Sequence, residues 1–138
     1  MRVEQIQMPL SNKLVHDYIY DYEKVSSYYS YDPYRQESYT QRLSWLSSYP
    51  VSHREELADG LRAYNQAVGN HAKAMENIEH LRQSDTYVVV GGQQAGILTG
   101  PLYTIHKALT LLRTAELQER LLGKKIICFL DCGRRSRL

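Results

Sequence analysis

Several kinds of residue are scarce in this sequence. Its 138 residues include 2 cysteines, 4 prolines, one Trp and one Phe. Two cysteines do not build a disulfide scaffold. The Cys128-x3-Cys132 spacing, with no second ligand pair, is a poor zinc site, so no metal is expected. No stretch approaches the roughly 20 apolar residues of a membrane span. The opening Met1-Arg2-Val3-Glu4-Gln5-Ile6-Gln7 lacks the apolar core of a signal peptide, which predicts a cytoplasmic location and no membrane partner. Excess charge of one sign is also missing, with 17 Lys+Arg against 15 Asp+Glu. Residues 1–123 hold 12 basic and 14 acidic side chains, and the last fifteen residues hold 5 and 1. The basic pI therefore describes the tail. A nucleic-acid partner is not expected, because that role needs Lys and Arg spread over a face.

What is abundant is tyrosine, 12 in all, nine of them between Tyr18 and Tyr49. Tyr28-Tyr29-Ser30-Tyr31-Asp32-Pro33-Tyr34 reads as turn-rich, since Asp-Pro biases the chain away from helix. A tyrosine offers a large ring and a hydroxyl that needs a partner, so this segment is expected to pack at a wet boundary or to serve as an interaction surface. Residues 1–51 form this Tyr-rich segment. Residues 52–123 then read as a helix plus a βα unit, and 124–138 as a tail.

Ser52-His53-Arg54-Glu55 has the capping-box pattern. Leu57, Leu61, Tyr64, Val68, Met75, Ile78 and Leu81 then recur at three- or four-residue steps, which predicts one helix to about Arg82. His71 and His80 are nine apart and do not share the i, i+4 face of a metal pair. After Ser84-Asp85, the run Thr86-Tyr87-Val88-Val89-Val90 predicts a strand covered on both faces. A glycine-rich stretch follows, then a helix from about Leu102 to Leu122. Pro101 suits its first position, and Gly123 suits its end. Leu102, Ile105, Leu109, Leu112 and Leu121 are its expected apolar face. Lys124 to Leu130 begins a second strand. The fold class is α/β: the N-terminal part of a Rossmann-like parallel-sheet domain, preceded by helices and incomplete as it stands, because this unit alone cannot close an open sheet.

The chemistry is expected between Gly91 and Lys107. Glycines at the carboxyl end of a strand let backbone N–H groups approach a ligand, and the next helix directs the positive end of its dipole there. That suits phosphate or carboxylate. Gly91, Gly92, Gly96 and Gly100 match neither the P-loop nor the dinucleotide spacing, since Pro101 stands where a P-loop has Lys. Gln93, Gln94, Thr99 and Tyr103 are candidate substrate-positioning residues. Lys107 would supply a point charge, and His106 is the candidate catalytic residue, able to donate to a phosphate oxygen. A tight turn without a ligand is the plain alternative.

Val88-Val89-Val90-Gly91-Gly92-Gln93-Gln94-Ala95-Gly96-Ile97-Leu98-Thr99-Gly100-Pro101-Leu102-Tyr103-Thr104-Ile105-His106-Lys107-Ala108 resembles the N-terminal signature of the bacillithiol-synthesis cysteine-adding enzymes. Tyr31-Asp32-Pro33, Arg54-Glu55-Glu56-Leu57 and Glu76-Asn77-Ile78-Glu79-His80-Leu81 resemble the same family, which often has Thr-Gly in place of Gly91-Gly92. The resemblance implies an amide-forming ligase of the acid–thiol class that joins cysteine to glucosaminyl-malate, the last step to bacillithiol. It also implies a core similar to nucleotidyl-transferring enzymes, a coiled coil in the full-length family and room for oligomerisation. If an ATP-like nucleotide activates the cysteine carboxylate, His106 would stabilise the developing phosphate charge. A nucleotide- or phosphosugar-binding module without catalysis, or a helical interaction protein, are the alternative readings.

Past Gly123 the family pattern continues as Phe-Trp-Ile-Ala-Gly-Glu-Asp-His-Asp. This chain reads Phe129-Leu130-Asp131-Cys132-Gly133-Arg134-Arg135-Ser136-Arg137-Leu138. The codons TTT CTG GAT TGC GGG AGA AGA TCA CGA CTT encode those ten residues, and removing the first base yields the family's nine. The expectation is a frameshift near Cys128, a true chain several times longer, and an inactive fragment.

Overall fold

The computed structural model describes residues 9–49, 51–94 and 102–133. Among these residues are five α-helices and two strands: α1 Lys13–Tyr20, α2 Gln36–Ser48, α3 Arg54–Ala67, α4 Ala72–His80, β1 Tyr87–Gln94, α5 Leu102–Leu122 and β2 Ile126–Gly133. The chain divides into two compact units, Met1–Ser44 and Trp45–Leu138.

In the first unit the tyrosines pack on one another. Asn12 caps α1 by accepting from the Val15 amide at 3.2 Å. Tyr18 lies against Tyr22, Tyr29 and Tyr34, with ring centroids 5.0–6.4 Å apart. The Tyr22 hydroxyl donates to the Tyr31 carbonyl at 3.0 Å, and the Tyr34 hydroxyl to the Tyr18 carbonyl at 3.2 Å. Asp32 makes the turn before Pro33 by accepting from the Tyr34 amide at 2.8 Å. Partial burial pushes the Tyr18 and Tyr22 hydroxyls above their ordinary range.

The long helix expected over 52–82 is instead a helical hairpin. Gly69, at φ +67°, takes the left-handed conformation that ends α3, and Asn70 then donates from its backbone to the Asn65 carbonyl at 2.9 Å. The His71 ring caps α4 by accepting from the Lys73 amide at 3.1 Å. Ser52 is not the cap of α3. That place is held by His53 at φ +71°, with no side-chain cap bond. Ala58, Ile78 and Leu81 are buried, whereas Leu57, Tyr64 and Val68 of the expected stripe stay exposed. Arg82 joins the two helices through Glu55, Asp59 and Glu79. Arg54 donates to the carbonyls of Leu81, Gln83 and Thr86 at 2.9–3.1 Å, fixing the entry to β1.

β1 and β2 pair in parallel from Tyr87↔Ile126 to Gln94↔Gly133, with α5 as the crossover between them. β1 therefore continues four residues past Val90, and Gly91 through Gln94 are strand rather than loop. Side chains alternate between faces. Gly91 and Gln93 meet α5, while Val88 and Val90 point away and are 38% and 63% exposed. The strand expected to be covered on both faces is thus covered on one. A groove of about 580 Å³ runs between α3–α4 and β2, lined by Leu61, Tyr64, Ile78, Leu81, Ile127 and Phe129 among others.

The packed face of α5 also differs from expectation. Ala115 and Gln118 are buried, and Thr104, Ala108, Leu111 and Leu122 are half-buried on the same side. Leu102, Ile105, Leu109, Leu112 and Leu121 are 42–69% exposed on the outer side. A helix apolar on two sides gives no unique stripe to choose from.

Glu119 closes the crossover. Its carboxylate accepts from the Ile126 amide at 3.0 Å and from Lys125 at 3.2 Å, and the Ile126 bond chiefly holds its pKa below the usual carboxylate range. A lowered folded pKa means this support is present above the unfolded value near 4.5 and disappears as pH falls through the folded value. Glu119→Gln should lower exchange protection of the Ile126 amide roughly fivefold at pH 7. The difference from the unsubstituted chain should shrink as pH is lowered below the ordinary carboxylate range. Hydrogen exchange measured at both pH values checks this.

Candidate functional site

The carboxyl end of β1 and the first turns of α5 form a shallow crevice of about 280 Å³, lined by Gly92, Gln93, Tyr103 and Lys107. Its polar groups are wired together. The Lys107 ammonium donates to the Gly92 carbonyl at 3.1 Å and to Gln93 Oε1 at 3.0 Å. Gln93 Nε2 donates to Thr104 Oγ1 at 2.9 Å. The Tyr103 ring lies 5.8 Å from the ammonium, within cation–π range. Gln93 is 8% exposed, so both ends of its amide need partners, and both have them.

The helix spacing explains the arrangement. Residues 104 and 107 are neighbours on a helix surface and both reach Gln93. Gly91 is needed for the close approach, because a Cβ there would collide with the Leu111 side chain. At Gly92, on the face turned away from α5 with Val88 and Val90, a Cβ would meet nothing within 4 Å.

Of the site residues read from the sequence, Gly92, Gln93, Tyr103 and Lys107 come together here. Gly91 stands behind them, under α5. Gln94 is the last residue of β1, and its side chain lies outside the described residues, as do Gly96, Thr99, Gly100 and Pro101. His106 is not in the crevice. It lines a separate surface depression with Leu109, Thr110, Arg113, Thr114 and Leu117. Thr104 was not singled out from the sequence. The signal that could have found it is its position three residues before Lys107, on the side of α5 that carries Ala108, Leu111 and Ala115.

Other chemistry-bearing groups are committed elsewhere. His16, Asp17 and Asp21 bring ligand-type atoms within 4.8 Å of one another. However, Lys13 binds Asp17 at 2.6 Å and Lys24 binds Asp21 at 3.1 Å, and the Lys13 hydrogen bond is the main cause of a lowered Asp17 pKa. A cation would have to displace two lysines. Burial pushes the Cys128 thiol up, away from the thiolate that nucleophilic or ligating chemistry requires. No described helix is long and apolar enough to cross a membrane.

Residues 1–129 match the family model described as "Bacillithiol biosynthesis BshC, N-terminal Rossmann-like domain". Curated relatives agree. The chain is 42% identical over 127 residues to "Putative cysteine ligase BshC" of Geobacillus kaustophilus, 39% over 127 residues to the protein of that name from Halalkalibacterium halodurans, and 45% over 128 residues to that from Bacillus velezensis. Each match takes in 92% of this chain and 23% of the relative, so the chain spans about a quarter of the length of these relatives.

The two glycines should respond oppositely to a methyl group. Gly91→Ala forces Leu111 aside and should reduce exchange protection in β1 by roughly fivefold, as overpacking does. Gly92→Ala should leave it unchanged or slightly raised, since alanine restricts the unfolded chain. Equal protection in the two variants would contradict the close approach of α5 at Gly91.

Proposed function

The chain belongs to the BshC family of bacillithiol biosynthesis, within its N-terminal Rossmann-like domain, and on that premise we propose that its crevice binds the anionic group of a substrate of a cysteine ligase. The carrying observation is the Lys107 ammonium, held at the carboxyl end of β1 by Gly92 and Gln93, which among the described residues engage two of its three N–H donors. Ligands of open α/β sheets bind at this end of the strands. The start of α5 adds a favourable field for negative charge, worth about 0.3–1 kcal/mol.

In the complete protein, the reaction we propose is amide formation between cysteine and glucosaminyl-malate. The amine attacks the carboxyl carbon of cysteine, a C–N bond forms, and the bond from that carbon to its activating group breaks. A nucleotide such as ATP, when bound, supplies that activation. Lys107 holds an anionic oxygen of the bound partner, the Gly92 carbonyl steadies the ammonium, and Tyr103 bounds the crevice. His106 takes part only when further polypeptide closes over the outer side of α5, where its ring lies. The 138-residue chain itself is proposed to be inactive.

We attribute the family match's ending at residue 129 to a change of reading frame near Cys128. Determining the nucleotide sequence around codon 128 tests this, and a downstream region with no family-like open frame would overturn it.

Cysteine-dependent formation of the amide, followed by mass spectrometry, should occur with the frame-restored chain and not with the 138-residue chain. Lys107→Met in the restored chain should lower kcat/KM by roughly 10- to 100-fold, the range for losing a charged hydrogen bond. A restored chain that binds anions and forms no amide would favour a binding module instead.

A further inference from the structure

We infer that Thr104 is a positioning residue, which sets the Gln93 amide so that its carbonyl oxygen holds the Lys107 ammonium over the end of β1. This rests on the reading that the Lys107 crevice takes an anion, and it assigns Gln93 to the support of the lysine rather than to the substrate.

The chemistry leaves one consistent orientation. An ammonium only donates, so the amide atom facing Lys107 at 3.0 Å is Oε1. The opposite end of the amide is then NH₂, and Thr104 Oγ1 at 2.9 Å is its acceptor. Gln93 is nearly buried, so an unpaired N–H there is costly. Removing the Thr104 oxygen would send the amide in search of another acceptor and take Oε1 away from the lysine. Lys107 would keep the Gly92 carbonyl at 3.1 Å and the nearby Tyr103 ring, a looser hold on an exposed side chain. Localising a point charge before a ligand arrives reduces the ordering required on binding.

The relay also explains a residue choice that secondary structure alone does not. Threonine is a mediocre helix residue, yet residue 104 lies in the first turn of α5, on its packed side. An apolar residue would pack there equally well. A hydroxyl is required by the buried amide opposite.

The test uses the chain as it is, with inorganic phosphate as the probe and NMR as the readout. Thr104→Val keeps the shape and deletes the acceptor. It should move the Gln93 side-chain amide resonances in the absence of phosphate and weaken phosphate binding roughly five- to tenfold. Thr104→Ser restores the oxygen and should return both to near their original values, which a purely packing role would not do. If the unsubstituted chain binds no phosphate, the anion reading fails, while the phosphate-free resonances still decide the role of Thr104. Should Thr104→Val not fold, Lys107→Met and Thr104→Ser carry the test. The first should move the Gln93 amide resonances and the second should leave them in place. Unmoved Gln93 resonances in Thr104→Val, or in Lys107→Met, would overturn the inference.

Discussion

The packing of α5 across the parallel strand pair is the constraint on which the second unit depends. A parallel pair cannot be joined by a tight turn, so the chain must travel the length of the strands and return. α5 does this, and its inner side determines how closely it can lie. Leu111 sits over Gly91, and Ala115 and Gln118 are buried further along. Glu119 then ties the end of the crossover to the first amide of β2. Because the helix starts where β1 ends, the same packing brings Thr104 and Lys107 against Gln93 and Gly92. The crevice is a consequence of the crossover.

That packing leaves a second apolar side on α5 facing outward, and Val88 and Val90 exposed on the other face of the sheet. A helix with apolar residues on two sides can bury both. The parallel strand–helix–strand order agrees with the Rossmann-like domain that the family match names.

Much of the architecture was legible in the sequence, for identifiable reasons. The bounds of α5 follow from its uninterrupted helix formers and from Gly123, whose φ of +63° is the left-handed stop that glycine permits. The strand–helix–strand order follows from the β-branched runs on either side. The inner side of α5 was not legible, because the leucine-rich side is the more hydrophobic and is the one left uncovered here. Gly91 and Gly92 looked like loop, since local propensity cannot register a strand whose glycine makes room for a helix. The break at Gly69-Asn70 was obscured because the apolar period runs through it. In the site, Lys107 and Gln93 could be nominated by chemistry, but their partnership required the register of α5 against β1. Thr104 was hidden because a helix-surface threonine looks ordinary until its neighbour is known.

Thermal unfolding of the 138-residue chain beside the frame-restored chain tests the central claim most directly. The exposed leucines of α5 and valines of β1 should make the short chain melt broadly and bind a hydrophobic dye, and the restored chain should melt in one sharp transition without binding it. A sharp transition in the short chain at the same midpoint, with no dye binding, would contradict the account.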